Sequence, residues 1–394
     1  MKSYADGRKC YDADSHLMES ADWLAAHADP SIREELPGFA PQGGTTSAAG
    51  QAIFKMIEQA TKRREDPEAT RRLEENVVGG PKGWLAHGAT DAAERCRTLD
   101  LLGFEKQLVF ATFSLGQFAY SRDPRLSYGG ARAHNRGMVE FCAGDPRLLP
   151  VCFLPLTDPE RSQVELEELL RLDPGAVWVL SDSLGDTSPA HVDLEPIWAR
   201  LAEAHVPIAL HIGGGKLLDR RYHANGRAKP NDWLGGGENL RGKDFPVVHH
   251  SPERFLTCLT LDGVFERHPD LRCGVIELGA SWVPGMLRNL DFAAQNFGRH
   301  EPLMQELRLK PSEYIQRQVR FTPFPFEDVG WLISQAGEDL FLFSSDYPHP
   351  EGSKDPIGKF ERSLDEHRIG PAARERFYWQ NFTKLFGESA APSA

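Results

Sequence analysis

Eight short apolar runs, separated by stretches of helical character, constrain this 394-residue chain more than any other feature. They cover residues 11–16, 106–111, 148–156, 176–180, 206–212, 271–278, 318–322 and 340–345. Several are almost continuously apolar, as in Ala-Val-Trp-Val-Leu at 176–180. Strands of that kind are buried on both faces, which is the situation of parallel strands covered by helices. Eight of them alternating with helices fit a closed (β/α)8 TIM barrel, an α/β fold, better than an open sheet.

The intervening segments carry helix signals. Asp158-Pro159 supplies an N-cap and a first-turn proline, and Val164, Leu166, Leu169 and Leu170 follow as an expected apolar stripe. Residues 193–204 repeat the pattern with Ile197, Trp198 and Leu201 on one face. Ser251-Pro252 opens a further helix, and 371–386 reads as a closing helix that packs Phe377, Phe382, Leu385 and Phe386. Two connections are too long for plain βα loops. One spans about 20–90, contains a helical-looking stretch at 52–76, and is expected to form a helical insertion beside the barrel mouth. The other, 212–250, has glycines at 213–215 and 235–237 and is expected to be a loop or lid over the site. The sequence thus predicts one barrel domain over 1–387, followed by a flexible tail at 388–394.

Composition narrows the function classes. The net charge of −12 comes without a basic stripe, which argues against nucleic acid and anionic membrane surfaces as partners. The longest apolar runs are strand-length, too short for a bilayer, and the first residues lack the apolar core of a secretory signal. Six cysteines (10, 96, 142, 152, 258, 273) with no Cys-x-x-Cys pair read as reduced thiols rather than disulfides or a thiolate metal site. The expectation is a cytoplasmic enzyme acting on a small molecule.

Asp14-Ser15-His16 ends the first run, and residues two apart on a strand point to the same side. His211 stands at the end of the fifth run and Asp346 at the end of the eighth. Barrel active sites lie at the C-terminal ends of the strands. An ionisable group at the tip of an apolar strand costs free energy unless it is paired or ligated. One shared metal therefore explains Asp14, His16, His211 and Asp346 better than separate hydrogen-bonding or turn-capping roles. Two imidazoles with carboxylates and no thiolate suit zinc or manganese, zinc being the expected ion. Gly213-Gly214-Gly215 lacks the Lys-Ser/Thr of a phosphate loop, and no Gly-x-Ser-x-Gly elbow is present.

With these residues in place, the sequence resembles the amidohydrolase-related family that includes aminocarboxymuconate-semialdehyde decarboxylase and the resorcylate-type decarboxylases. Tyr-Asp-Ala-Asp-Ser-His at 11–16 looks like the family's first-strand motif, and Pro-Ile-Ala-Leu-His at 207–211 like its strand-five ligand. His-Pro-Asp-Leu-Arg-Cys at 268–273 and Ser-Ser-Asp-Tyr-Pro-His at 344–349 match its strand-six approach and strand-eight aspartate. The resemblance runs from about 11 to 387 and implies that Asp14, His16, His211 and Asp346 are the metal positions. It also implies a homodimer.

One departure stands out. Where family decarboxylases carry a proton-transferring histidine after strand six, this chain has Glu277. Glu277 is expected to be a general acid/base, an extra ligand or a partner orienting His211, the plain alternative being a salt-bridged glutamate. His249 or His250, with His250 preferred, would then replace the missing histidine, unless the two form an ordinary surface pair. Glu19 and His349 are candidates to orient ligands, and Trp282 and Tyr347 to wall a pocket. Arg63, Arg64, Arg71 and Arg72 either reach a substrate carboxylate or form a solvated helix face. The reaction expected first is hydrolysis of an amide, lactone or C–C bond, with Asp346 accepting a water proton and His250 or Glu277 assisting the leaving group. The alternative is non-oxidative decarboxylation of an aromatic or unsaturated acid.

Overall fold

The computed structural model describes residues 2–39, 48–182, 187–215, 217–227 and 242–387. Seven of the eight apolar runs are strands: β1 (Tyr11–Leu17), β2 (Lys106–Ala111), β3 (Leu148–Phe153), β4 (Ala176–Trp178), β5 (Ile208–His211), β6 (Cys273–Ile276) and β7 (Val319–Phe321). Most are shorter than the apolar run that signals them. β5 starts only at Ile208 because Pro207 has no N–H to give a ladder. All pairings are parallel, β1–β2–β3 in one ladder and β4–β5–β6–β7 in another. This is the α/β arrangement that the buried apolar runs predict.

The eighth run forms no ladder. Its first half exchanges backbone bonds with β7, Phe321 N–H donating to the Leu340 carbonyl and Leu342 N–H to that of Phe321, both at 2.9 Å. Its second half turns to β1, where Asp346 N–H donates to Asp14 O at 2.9 Å and His16 N–H to Tyr347 O at 2.7 Å. Two bridges, Phe321 with Phe341 and Ser15 with Tyr347, are all that the segment contributes as strand. A positive φ of 49° at Asp346 breaks the extended conformation a ladder needs.

The chain divides into two compact units. The first comprises Met1–Phe153, Asp219–Arg241 and Ser344–Ile357. It holds β1 to β3 and the insertion after β1, which is helical as expected: Trp23–His27, Ala48–Arg64, Pro67–Glu74 and the short turn Gly83–Leu85. The continuous helix expected over 52–76 is broken at Asp66-Pro67. Asp66 accepts from the N–H groups of Glu68 and Ala69 at 3.0 and 3.1 Å, capping a new helix that Pro67 starts. Helix Ala92–Leu102 carries Arg95, fully buried, whose guanidinium donates to Gly88 O at 2.8 Å, to Gln107 Oε1 at 3.2 Å and to the carbonyl oxygen of His16. A cation so far from water is tolerated because its fork is filled by fixed acceptors. It pins the end of β1 to the strand beside it.

The second unit comprises Leu154–Leu218, Gly242–Phe343 and Gly358–Ala394. Asp158 caps helix Pro159–Leu170 as expected, accepting from Arg161 N–H at 3.1 Å. The buried stripe, however, is Ser162, Leu166 and Leu169, spaced four and three residues apart, and Val164 is 66 % exposed. Two residues off that stripe, Val164 points to the opposite side. Helices Glu195–Ala204 and His250–Leu261 fall where their signals lie. The closing segment is continuous but contains a π-turn, Arg376–Gln380, between Pro371–Glu375 and Asn381–Leu385. Phe377, Phe382 and Leu385 are buried there, and Phe386 is half-buried. Residues 228–241 of the expected lid, Gly235–Gly237 among them, and the tail at 388–394 lie outside the described residues. Among the described residues no helix is long and apolar enough to cross a membrane, and all six cysteines are free thiols.

Two substitutions test this packing. Arg95→Lys keeps the charge but replaces the planar fork with one compact ammonium that cannot span these separated acceptors, and is expected to lower the unfolding free energy by about 2–3 kcal/mol in denaturant titration. Gly352 lies against the eighth segment, where a Cβ would run into the carbonyl oxygen of Ser345 and the Cβ of Asp346. Gly352→Ala should therefore cost about 1–3 kcal/mol by the same measurement, whereas an unchanged midpoint would show that the segment yields.

Candidate metal centre

In the first unit the chemistry gathers at the end of β1. The β1–β2 register shifts between Asp12 and Ser15, an irregularity of the kind that re-aims side chains beside active sites. Asp14 and His16 are both buried, with His16 Nε2 3.2 Å from Asp14 Oδ1 and 3.5 Å from Asp346 Oδ1. His349 stacks on the His16 ring at 3.8 Å between centroids and places Nδ1 3.0 Å from Asp346 Oδ1. His16, Asp346 and His349 each offer a ligand atom, all within 4.8 Å of one another.

Beneath them lies Asp12, fully buried, which the sequence reading passed over. Its carboxylate accepts from Gln107 Nε2 at 2.8 Å, Ser345 N–H at 2.7 Å and Ser345 Oγ at 2.6 Å. It thereby ties β1 to the residue before Asp346. The signal was present, since Asp12 shares the alternate-residue pattern of Asp14 and His16. Burial pushes the Asp12 carboxyl up to about 7 against the pull of those donors. Burial, then the neighbouring Asp14, raise Asp346 well above the usual carboxylate range. Both Asp346 oxygens are buried and accept no hydrogen bond.

Such a set of carboxylates is costly without a compensating cation. Nitrogen and oxygen donors with no thiolate fit a divalent ion of the zinc or manganese kind. The residues present fit a divalent metal.

In the second unit His211 ends β5 and Glu277 follows β6, both buried. His211 Nδ1–H donates to the Ile212 carbonyl at 2.9 Å, which fixes the ring and turns Nε2 toward Glu277 Oε2 at 3.4 Å. Glu277 adopts a positive φ of 54°, held by its N–H donating to Thr322 Oγ1 at 2.8 Å. A non-glycine residue in that conformation marks a constrained position. Trp178 packs on His211 at 4.9 Å between ring centroids. The glycines after His211 serve this packing: a Cβ on Gly214 would sit 2.8 Å from Trp178 Nε1 and 3.0 Å from the His211 carbonyl. They make a tight turn behind the histidine, not a phosphate cradle.

The other candidates separate. His250 is exposed at the start of its helix, its ring edge on His249. His249 is the half-buried member of the pair, stacked on Trp282 at 5.2 Å, and burial lowers it to about 4. Glu19 accepts from the N–H groups of Thr112, Phe113 and Ser114 at 2.9–3.2 Å, so it holds the loop after β2 rather than a metal ligand. Tyr347 is buried, its hydroxyl donating to His87 O at 2.7 Å. Arg63 pairs with Glu94, and Arg71 lies between Glu68 and Glu75 on an exposed face. Arg64 donates to Thr90 Oγ1 at 2.7 Å and lines a cavity of about 180 Å³ with Leu17, Met18, Glu19 and Trp23.

The amidohydrolase family model matches residues 12–387. No protein with a curated description matches the sequence. Among solved structures, an amidohydrolase from Mycobacterium avium subsp. paratuberculosis K-10 superposes with a TM-score of 0.72 at 21 % identity, covering 97 % of this chain and 100 % of that one. The 5-carboxyvanillate decarboxylase of Sphingomonas paucimobilis gives 0.60 at 17 % identity, covering 96 % and 98 %. That of Novosphingobium aromaticivorans DSM 12444, complexed with manganese and 4-hydroxy-3-methoxy-5-nitrobenzoic acid, gives 0.61 at 18 % identity, covering 98 % of each chain. At these identities the likeness is one of fold. The family match over nearly the whole length, joined to the buried Asp-x-His strand end, places the chain in the amidohydrolase family.

Proposed function

We propose that the chain is a metal-dependent carboxy-lyase that removes CO2 from an aromatic or unsaturated acid. In this reading Asp14, His16, His211 and Asp346 hold one divalent ion, zinc or manganese, at the mouth of a (β/α)8 barrel. The bound ion would supply Lewis acidity, polarising the substrate carboxylate and an adjacent oxygen. The remaining steps belong to the protein's own side chains.

The observation that carries the reading is the contact between His349 and Asp346. Thr112 Oγ1 donates to Leu17 O at 2.8 Å, so its lone pair is left to accept from His349 Nε2 at 3.1 Å. With Nε2 carrying a hydrogen, Nδ1 of a neutral ring would meet Asp346 Oδ1, 3.0 Å away, lone pair to lone pair. A proton in that contact removes the repulsion. The pair is thus suited to store one proton in a buried contact, which is what protonation of carbon requires. As the bond from ring carbon to carboxylate breaks, its electron pair stays on carbon and CO2 leaves. The stored proton then passes to that carbon, and the pair is reloaded from solvent. The manganese-bound decarboxylases of like fold support the same direction.

Hydrolysis is the second reading, favoured by one observation. Glu277 stands 3.4 Å from His211 Nε2, a buried carboxylate suited to take a proton from an attacking water. A carboxylate there needs no stored proton, so the two readings assign the proton chemistry to different residues.

Aromatic acids offered in D2O to manganese- or zinc-loaded protein should release CO2 and leave deuterium at the vacated carbon. Uptake of 18O from water into the products of amides or lactones, with no CO2, would overturn the carboxy-lyase. His349→Phe should lower kcat by about 10²- to 10⁴-fold while the metal content stays near wild type. His16→Ala should lose most of the bound metal by elemental analysis. Purified protein without metal, indifferent to His16→Ala, would sink both readings.

A further inference from the structure

Lys82 is a cation of the first unit that the metal reading does not use. It stands just before the turn Gly83–Leu85, and the Gly83 N–H donates to the carbonyl of Pro348 at 2.9 Å. That bond fixes the backbone of Lys82 against the segment bearing Asp346 and His349. The ammonium lies 5.3 Å from the centre of the buried Tyr347 ring. The Tyr347 ring cannot drift, because its hydroxyl is bonded to His87 O and the Arg95 guanidinium lies 5.6 Å from its centre. Among the described residues, no carboxylate comes within ion-pair distance of Lys82 and no acceptor receives its hydrogens. Asp346 attracts it through space and Lys354 repels it.

A half-buried ammonium whose three donors meet no protein acceptor among the described residues is best served by a partner that fills them. The aromatic face offsets part of the cost of burial, but it accepts no hydrogen bond. The missing partner should be an anion, since a neutral acceptor would recover less. Its position follows from that of the ammonium: at the face of the Tyr347 ring, the residue next in the chain to Asp346. We propose that Lys82 receives the carboxylate of the substrate next to the metal and so selects acids over their uncharged analogues. This inference rests on the carboxy-lyase reading for the identity of the anion.

The test compares one acid with its neutral counterpart. Binding of 2,6-dihydroxybenzoate and of resorcinol to manganese-loaded protein is measured by titration calorimetry, in the wild type, Lys82→Met and Lys82→Arg. Lys82→Met should weaken the acid about 10- to 100-fold and leave resorcinol unchanged. Lys82→Arg should restore most of the acid's affinity. Manganese stoichiometry and thermal midpoint should match wild type in both variants, because Lys82 holds neither the metal nor the fold. Equal loss for acid and phenol, wild-type affinity for the acid in Lys82→Met, or no acid binding by the wild type would overturn the assignment. Acid binding that depends on Lys82 without any CO2 release would refute the carboxy-lyase and leave the role of Lys82 standing. CO2 release at wild-type kcat/KM by Lys82→Met would do the reverse.

Discussion

Mutual repulsion among buried carboxylates governs this end of the molecule. Asp12, Asp14 and Asp346 surround His16 with almost no access to water. In a low-dielectric interior such groups must take up protons, accept many hydrogen bonds or bind a cation. Each solution is visible. Asp12 is met by donors from Gln107 and Ser345, Asp346 faces a histidine across a proton-sized gap, and Asp14 stands against His16. The rest of the unit is arranged to keep these groups in place against their own repulsion. Arg95 holds the His16 carbonyl, Glu19 holds the loop after β2, and Gly352 lets the Asp346 segment pack without a side chain between.

Much of this was legible in the sequence because burial leaves a linear trace. Strands covered on both faces must be apolar throughout, so the runs at 106–111 and 148–156 announce β2 and β3 directly. Ionisable residues at the tips of such runs cannot be accidental, which exposes Asp14, His16, His211 and Asp346. What the sequence could not show depends on three-dimensional neighbours. The eighth run has the composition of a strand but divides its bonds between two partners, and only the left-handed Asp346 backbone reveals why. Val164 belongs to the apolar pattern of its helix, yet the buried stripe passes it by. The preference for His250 over His249 rested on position in a loop. A stack on Trp282 decides which ring is inside, and stacking has no spacing rule.

The same contrast separates the groups at strand ends from the side chains that support them. Glu277 and His211 lie at the ends of neighbouring strands, so their approach follows from register, Ile276 pairing with His211. Asp12, Thr112 and Lys82 act through side-chain geometry that alternation alone does not specify. Thr112 is informative: a single hydroxyl donates to the Leu17 carbonyl and meets Nε2 of His349, so a residue outside the carboxylate cluster positions that ring.

The bond from Ser345 to Asp12 joins residues 333 positions apart in the chain. A ribosome must add 333 residues after Asp12 before both partners exist. Until then the β1 carboxylates have neither their donors from Ser345 nor the company of Asp346. An emerging chain is therefore a poor chelator, and competition for ions with other cellular ligands is deferred to the last stage of folding. Metal selection falls to the folded pocket, whose shape is set once Asp12 and Ser345 have met.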